Sequence, residues 1–436
     1  MTRISASLAL APVLAVAACA SPDTAPVVDV CRSTSSPAEV VLPAGGRATL
    51  DRSAFTSDEE ATFEAVGDVR VFDDAGNAGR IVVRARYEQG DAAVRVTCAS
   101  GESFDVPVRT EAITFDNVAT WSGDAGPIGR EYFAMWQDRS VTTRLWVYGG
   151  YVYQPMQFTP NAELWSFDLQ TATWTPFGVL ENAPLLPGAR IAPGSAEDTY
   201  YLLGGLGDPD TPHSLRALNV GASPPVWSSA PFSGTAPESY TGAWIRDEPR
   251  NRWLSLCGAS STLGINCAVN TYSETDGWAS LPLVEGSRAP RRFGFAYAYD
   301  QLNDRIVVFS GQDGADNLDI ATDTWALELG EEPARWVRLF ESDEHAIARR
   351  NSAFAYDSTH HRLFVWGGTP DGVDSVPGMQ VLHLDRGHEE WLSFDTPSTM
   401  PSRTSGAGVF DPTTNSIYWG FGNDDAIYTD LYRMRL

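Results

Sequence analysis

The chain has 436 residues, 43% of them hydrophobic, and a formal net charge of −25. That length and apolar content suffice for more than one cored domain, and the charge argues against non-specific binding to nucleic acid or to anionic lipid surfaces. No lysine occurs anywhere, so every basic side chain is arginine and Schiff-base lysine chemistry is excluded.

The opening MTRISASLALAPVLAVAAC carries Arg3, an apolar run and then small residues. It is too short for a spanning helix and reads as an export signal over residues 1–18. Its end, Val16-Ala17-Ala18-Cys19, resembles the bacterial lipobox, whose cysteine is lipidated and becomes the new N-terminus. The other reading is an ordinary cleaved signal that happens to contain a cysteine. Ala20 rather than Asp follows Cys19, which in the familiar sorting pattern implies the outer membrane. Residues 19–30 are small and Pro-rich and read as a tether.

Residues 31–112 hold alternating segments at 38–42, 69–72, 80–87 and 92–97, punctuated by AGG, DDAGNAG and EQGD. The period is two and no helical stretch occurs. The expectation is a small antiparallel β-sandwich, similar to the immunoglobulin-like domains of exported bacterial proteins. Four cysteines follow the signal: Cys31, Cys98, Cys257 and Cys267. An even number in an exported chain suggests two disulfides. Of the three possible connectivities, proximity favours Cys31–Cys98 and Cys257–Cys267, which leaves no thiol for nucleophilic catalysis.

Residues 113–436 repeat. Taking Gly150, Gly205, Gly258, Gly311, Gly368 and Gly422, the intervals are 55, 53, 53, 57 and 54 residues. Taking Trp121, Trp174, Trp227, Trp278, Trp336 and Trp391, they are 53, 53, 51, 58 and 55. Two independent markers therefore keep one period in fixed phase. Each unit reads as four short strands: one beginning near an arginine, as in RFGFAYAYD; one ending in glycine, as in RIVVFSG; an alternating one, as in LWSFD; and one that starts at the tryptophan.

Apolar run, Gly-Gly, variable loop, alternating strand and Trp together resemble the kelch motif, with Gly-Gly replaced by Cys257-Gly258, Ser310-Gly311 and Phe421-Gly422 in three units. The resemblance implies an all-β chain: a six-bladed kelch β-propeller preceded by the small sandwich. The last unit ends at Leu436 without its own tryptophan strand, and AITFDNVATW before the first unit supplies one. An N-terminal strand is thus expected to close the ring, which removes open strand edges.

Four units share a twelve-residue stretch from Asp to glycine: DSTHHRLFVWGG, DQLNDRIVVFSG, DEPRNRWLSLCG and DPTTNSIYWGFG. The slot of His360-His361 is filled elsewhere by turn formers, so the pair reads as an exposed hairpin tip rather than a metal site. Eight residues before the Asp stand Arg130, Arg292, Arg349 and Arg403; Ser239 takes that place in the third unit, and Arg190 is the nearest equivalent in the second. In propellers the first strand lines the central channel, so these arginines are expected at its mouth. The loops at 151–163, 206–214, 259–266, 312–322, 369–380 and 423–429 would open onto the same face. A ring of guanidiniums suits carboxylate or other anion recognition. The same arginines could instead bond backbone or acids of neighbouring units. Tyr151, Tyr153 and Phe158 could stack on a sugar or peptide, or pack between units.

Enzyme readings draw on the same residues. Galactose oxidase resembles the chain in having kelch blades and an extra β-domain, but its copper needs tyrosines, histidines and a Cys–Tyr crosslink; here only His213 and His345 fall in loops of that face. Sialic acid mutarotase is the closer architectural match, with Glu238 beside the mouth position as the available carboxylate. The carboxylates of 313–319 and 422–430 lack an EF-hand spacing and read as solvated loops. The expectation is an exported, lipid-anchored binding module for a protein or glycan at the cell envelope, with no cofactor, metal or nucleic acid.

Overall fold

A computed structural model describes residues 31–87, 90–154, 157–206, 215–231, 236–260, 264–288, 291–314, 320–424 and 426–436. The signal peptide, tether and Cys19 lie outside the described residues, as do His213 and most of 313–319. The chain divides into two compact units, one ending at Ile113 and one running from Thr114 to Leu436. Both are built of β-strands, and the described residues contain no α-helix.

The first unit carries β1 (Val40–Pro43), β2 (Arg47–Asp51), β3 (Thr62–Gly67), β4 (Val69–Asp74), β5 (Asn77–Ala85), β6 (Ala92–Thr97) and β7 (Ser103–Glu111). They form two sheets, ordered β1-β7-β6-β3 and β2-β5-β4. The β1–β7 pair is parallel, where the sequence led us to expect only antiparallel pairing. The core lies between alternating apolar positions, with Val40, Leu42, Phe55, Ile81, Val83, Val94, Val96, Val106 and Val108 all buried. Cys31 and Cys98 form a disulfide inside that cluster, with their Cα atoms 5.9 Å apart.

The second unit is a succession of four-stranded antiparallel sheets. Sheet I is Ala134–Gln137, Arg144–Tyr148, Glu163–Asp168 and Thr173–Val179. Sheet II is Ala189–Pro193, Thr199–Gly204, Arg216–Asn219 and Val226–Ser229. Sheet III is Ala243–Asp247, Arg252–Ser260, Gly264–Ser273 and Gly277–Ser280. Sheet IV is Ala296–Asp300, Arg305–Phe309, Thr324–Glu328 and Arg335–Phe340. Sheet V is Ala353–Asp357, Arg362–Trp366, Met379–His383 and Glu390–Phe394. Sheet VI is Ala407–Asp411, Ser416–Gly420 and Asp430–Arg435, and its fourth strand is β8 (Thr114–Thr120), paired from Asp430↔Thr120 to Arg435↔Thr114.

The core of this unit sits between neighbouring sheets. Single apolar clusters join I to II, II to III, III to IV, IV to V, and VI to I. Between V and VI the Trp366 and Trp419 rings stand 5.9 Å apart. In sheets I and III to VI a repeated Asp shapes the first hairpin. Asp357 accepts the backbone N–H groups of Thr359 and His360 and the Arg362 Nε at 2.8 Å. The residue before the second strand has positive φ in four sheets: Asn251 (49°), Asp304 (50°), His361 (53°) and Asn415 (48°). Asn and Asp tolerate that region, and His361 occupies it with its Nδ1 3.3 Å from the Tyr356 hydroxyl.

The predicted exposed His pair needs correcting. His360 is buried because the same Asp357 carboxylate holds its Nδ1 at 3.0 Å. Burial pushes the Asp357 carboxyl up, but Arg362 and His360 outweigh it and hold it below the usual carboxylate range.

Candidate functional site

The register arginines are present, but they do not line an opening. Arg130, Arg292 and Arg403 are fully buried and Arg349 is 1% exposed. Each clamps its own sheet from inside. The Nη1 atoms donate to the carbonyls of Gly149 (3.1 Å), Ser310 (2.9 Å), Gly367 (2.8 Å) and Phe421 (3.3 Å), all at the ends of second strands. Three also meet an acid on the third strand: Arg130–Glu163 at 3.3 Å, Arg292–Asp323 at 2.7 Å and Arg403–Asp430 at 2.5 Å. In sheet V the corresponding place precedes Met379 and is Gly378, so no carboxylate pairs with Arg349 among the described residues. Burial lowers Arg130 to about 10 against the raising effect of Glu163, and Arg349, with no such acid, to about 9. The expectation that these guanidiniums contact a ligand is therefore corrected: a group with almost no exposed surface that donates to its own sheet's second-strand carbonyl is a structural clamp.

Arg190 is corrected in a different way. The backbone register shows that Leu186, not Arg190, stands where sheets I, IV, V and VI have arginine and sheet III has Ser239. Leu206 N–H donates to Pro187 O at 2.8 Å, as Ala259 does to Tyr240, Gln312 to Phe293, Thr369 to Arg350 and Asn423 to Thr404.

Those five carbonyl acceptors, with Glu131 in sheet I, identify the face that is available. Each follows the arginine position by one residue. Tyr240, Phe293, Arg350 and Thr404 are half-buried, which is what residues at the rim of a surface depression show. They form one connected belt. The Tyr132 ring stands 5.8 Å from Tyr240 and 6.4 Å from Tyr151, and Tyr240 stands 6.4 Å from Phe293. Arg350 donates to the Gln312 side chain, and Asn423 donates its side-chain amide to the Glu131 carboxylate and its backbone N–H to Thr404 O. The predicted Tyr151 and Tyr153 lie on the hairpin Tyr151–Gln154/Gln157–Pro160, whose first strand pairs with Arg130–Glu131. Tyr153 and Phe158 are 52% and 47% exposed, with ring centroids 5.5 Å apart.

Glu131 is the unusual group of the belt. It is buried with no cationic partner, and desolvation pushes its carboxyl up to about 7 against the lowering effect of Asn423. Burial also raises the Tyr132, Tyr151 and Tyr240 phenols, so all three stay neutral donors. Glu238 receives the Ser260 hydroxyl and sits two residues from Tyr240, at the edge of the belt rather than in it. His345 is exposed beside Glu344, at 3.8 Å. Among the described residues no cluster of three or more His, Cys, Asp or Glu side chains is placed to hold a metal ion. Cys257 and Cys267 form a disulfide across the second and third strands of sheet III.

Below the belt lies a backbone ring. Tyr132, Gly188, Thr241, Gly294, Asn351 and Ser405 all have positive φ, between 49° and 78°. Gly188 N–H donates to Tyr132 O, Thr241 to Gly188, Gly294 to Thr241, Asn351 to Gly294 and Ser405 to Asn351, at 2.7–3.1 Å. Sheet VI reaches sheet I through Gly422 N–H to Arg130 O at 3.0 Å. The Tyr132 hydroxyl accepts from Asn351 Nδ2 at 2.8 Å, bridging sheets I and V. Positive φ is strained for Tyr, Thr and Ser by about 1 kcal/mol each, and the shared hydrogen bonds are what hold them there. Past this ring the first strands enclose a cavity of about 160 Å³, lined among others by Phe133, Ser352 and Gly406, the residues that follow Tyr132, Asn351 and Ser405.

No family model matches the chain, and no curated protein matches it in sequence. The belt was missed at the sequence level although its signal was present: it is the residue after each register arginine, and it varies where the arginine repeats.

Proposed function

We propose that Thr114–Leu436 is a six-bladed propeller of the kelch type, closed by β8, and that it recognises a glycan or protein through the belt around Tyr132. The fold reading is supported by the period near 54 residues, by the pairing of β8 with the last strand, and by the hydrogen bonds that run from each sheet to the next. The first unit is read as an immunoglobulin-like sandwich on the basis of its two packed sheets and its disulfide. Export and lipid anchoring through Cys19, at the outer membrane, rest on the N-terminal sequence.

One observation carries the binding reading. Tyr240, Phe293, Arg350 and Thr404 are half-exposed on neighbouring sheets, with the buried Glu131 at the equivalent place of sheet I, and the set combines rings, an amide, one carboxyl and one guanidinium. Aromatic faces with hydrogen-bonding groups beside them suit the apolar face and hydroxyls of a sugar ring, and glycans are accordingly the favoured ligand class. The exposed Tyr153–Phe158 pair extends that platform outward.

The test is a glycan array and an unbiased pull-down with residues 31–436. The double variant Y153A/F158A should lose capture of whatever the wild type binds, by tenfold or more, with unchanged thermal stability. Undiminished capture would sink the aromatic-face reading. The anchor is tested by C19A in the full chain, which should release the protein from membranes.

A second reading, a carbohydrate-active enzyme, is favoured by Glu131 alone. A carboxyl pushed up to about 7, next in the chain to the neutral Tyr132 phenol, is suited to proton transfer at a sugar. In that reading Glu131, not Glu238, is the acid–base group. Anomer interconversion of an acidic sugar that E131Q abolishes and E238Q spares would support it.

A further inference from the structure

Each first strand enters the sheet two residues after the positive-φ ring, and five of the six sheets place alanine there: Ala134, Ala243, Ala296, Ala353 and Ala407. Sheet II places Arg190. The fold does not need an arginine at this position, since alanine serves five times.

The Arg190 guanidinium is only partly satisfied. Its Nε donates to Gly242 O at 3.2 Å, and its Cζ lies 5.7 Å from the Phe354 ring of sheet V. Its terminal nitrogens carry no hydrogen bond among the described residues. It lines the 160 Å³ cavity together with Phe133, Met135, Ile191, Tyr297 and Phe354, and the lining contains no Asp or Glu. Away from the ring the cavity continues into a space of about 480 Å³ that shares Ile191, Tyr297, Phe354 and Gly408, which provides entry.

We propose that this cavity binds a compact organic carboxylate, with the carboxylate on the Arg190 fork and its apolar body against Phe354, Tyr297 and Phe133. Three facts converge on that class. A cation without an acid, in a protein of net charge −25, selects an anion locally. The planar guanidinium offers two parallel donors, which match a carboxylate. The remaining wall sets Phe133, Met135, Ile191, Tyr297 and Phe354 beside Ser352 and small residues, and a cavity of about 150 Å³ has room for a benzene-sized body. The site is separate from the belt: the Tyr132–Asn351 bridge and the backbone ring lie between them, and the proposal does not depend on what the belt binds.

The experiment uses residues 31–436 with benzoate as the probe and benzamide as its neutral isostere. Benzoate should raise the melting temperature saturably and benzamide should not. R190Q should weaken the benzoate response by about tenfold or more, the loss expected for a charge-assisted bidentate contact, while its own melting temperature stays close to that of the wild type. Y153A/F158A should leave the benzoate response intact, which separates this site from the belt. Equal responses to benzoate and benzamide, a response unchanged in R190Q, or no response to benzoate would each overturn the proposal. Should R190Q fail to fold, the benzoate–benzamide comparison on the wild type decides alone.

Discussion

Replacing Arg292 and Arg349 separately by Met tests whether the register arginines are clamps whose strength depends on their acid. Both are buried and both bond a second-strand carbonyl, at 2.9 and 2.8 Å. They differ at the start of the third strand: Arg292 meets Asp323 at 2.7 Å, whereas the corresponding residue of sheet V is Gly378. R292M leaves Asp323 unpaired. Breaking a buried pair from one side costs about 3–5 kcal/mol. Asp323 keeps the Trp325 Nε1 bond at 2.6 Å and is 21% exposed, which places R292M at the lower end, about 3 kcal/mol. R349M orphans no acid, and it removes a charge that burial already disfavours. Exchange of a buried charge for an apolar side chain of similar length is close to neutral, so the loss should be about 1 kcal/mol or less. All 14 tryptophans lie from position 121 onward, so urea unfolding followed by tryptophan fluorescence reports on the second unit alone. With a slope of about 3 kcal/mol/M, R292M should lower the midpoint by about 1 M and R349M by about a third of that or less. Equal shifts, or a larger shift in R349M, would refute the reasoning, because the acid partner would then not be what sets the clamp's strength.

Glu131 should make stability fall as pH rises. Its carboxyl is raised from 4.5 in the unfolded chain to about 7 when folded, so the folded state holds the extra proton between those values. The contribution is fully present below about 4.5 and lost as pH passes 7, an effect of about 3 kcal/mol. E131Q should flatten this dependence and be the more stable form above pH 7; parallel pH profiles for the two proteins would contradict the assignment. The disulfides should act on separate units. Loop-closure entropy predicts a cost of about 4 kcal/mol for C31S/C98S, whose loop spans 67 residues, and about 3 for C257S/C267S, whose loop spans 10. Only the second pair should move the tryptophan-detected midpoint, while hydrogen exchange in β1–β7 should respond to the first.

The four-strand repeat was legible in the sequence because its markers do physical work at fixed places. Asp357 and its counterparts cap a hairpin, and the periodic glycines adopt positive φ where a side chain would strike backbone. A Cβ on Gly368 would stand 2.7 Å from Arg350 O. The parallel β1–β7 pair was not legible, because a period of two looks the same in either pairing. Arg190 was misplaced because sheet II carries Leu186 and Pro187 where four other sheets carry Arg and a polar or aromatic residue, and only the backbone bond from Leu206 reveals the register. The burial of the register arginines was equally hidden. Their sequence pattern is the same whether the guanidinium turns outward or folds back onto a carbonyl, and the second-strand carbonyls that receive all four lie 18 to 19 residues away.

This division has a consequence for what the belt can bind. The arginine position repeats in four sheets because it serves the sheet, and the next position varies, half-exposed in sheets III to VI and buried as Glu131 and Pro187 in sheets I and II. That freedom has been used unevenly. The carboxyl, the amide of Asn423 and Thr404 gather at the junction of sheets VI and I; Tyr132, Tyr151, Tyr240 and Phe293 span sheets I, III and IV; Arg350 and Gln312 stand between IV and V; and sheet II contributes Pro187, which has neither a ring face of that kind nor a donor. A ligand that used all of these groups would have to be lopsided in the same sense, with an acceptor-poor apolar face toward Tyr240 and an anionic or carbonyl end toward Arg350. Because burial pushes the Glu131 carboxyl up to about 7, the same ligand should meet a VI–I junction that is neutral below neutral pH and anionic above it. Binding of an acidic glycan should therefore weaken as pH rises from 6 to 8, and E131Q should abolish that dependence without abolishing binding; a pH-independent affinity in the wild type would place the anionic end elsewhere.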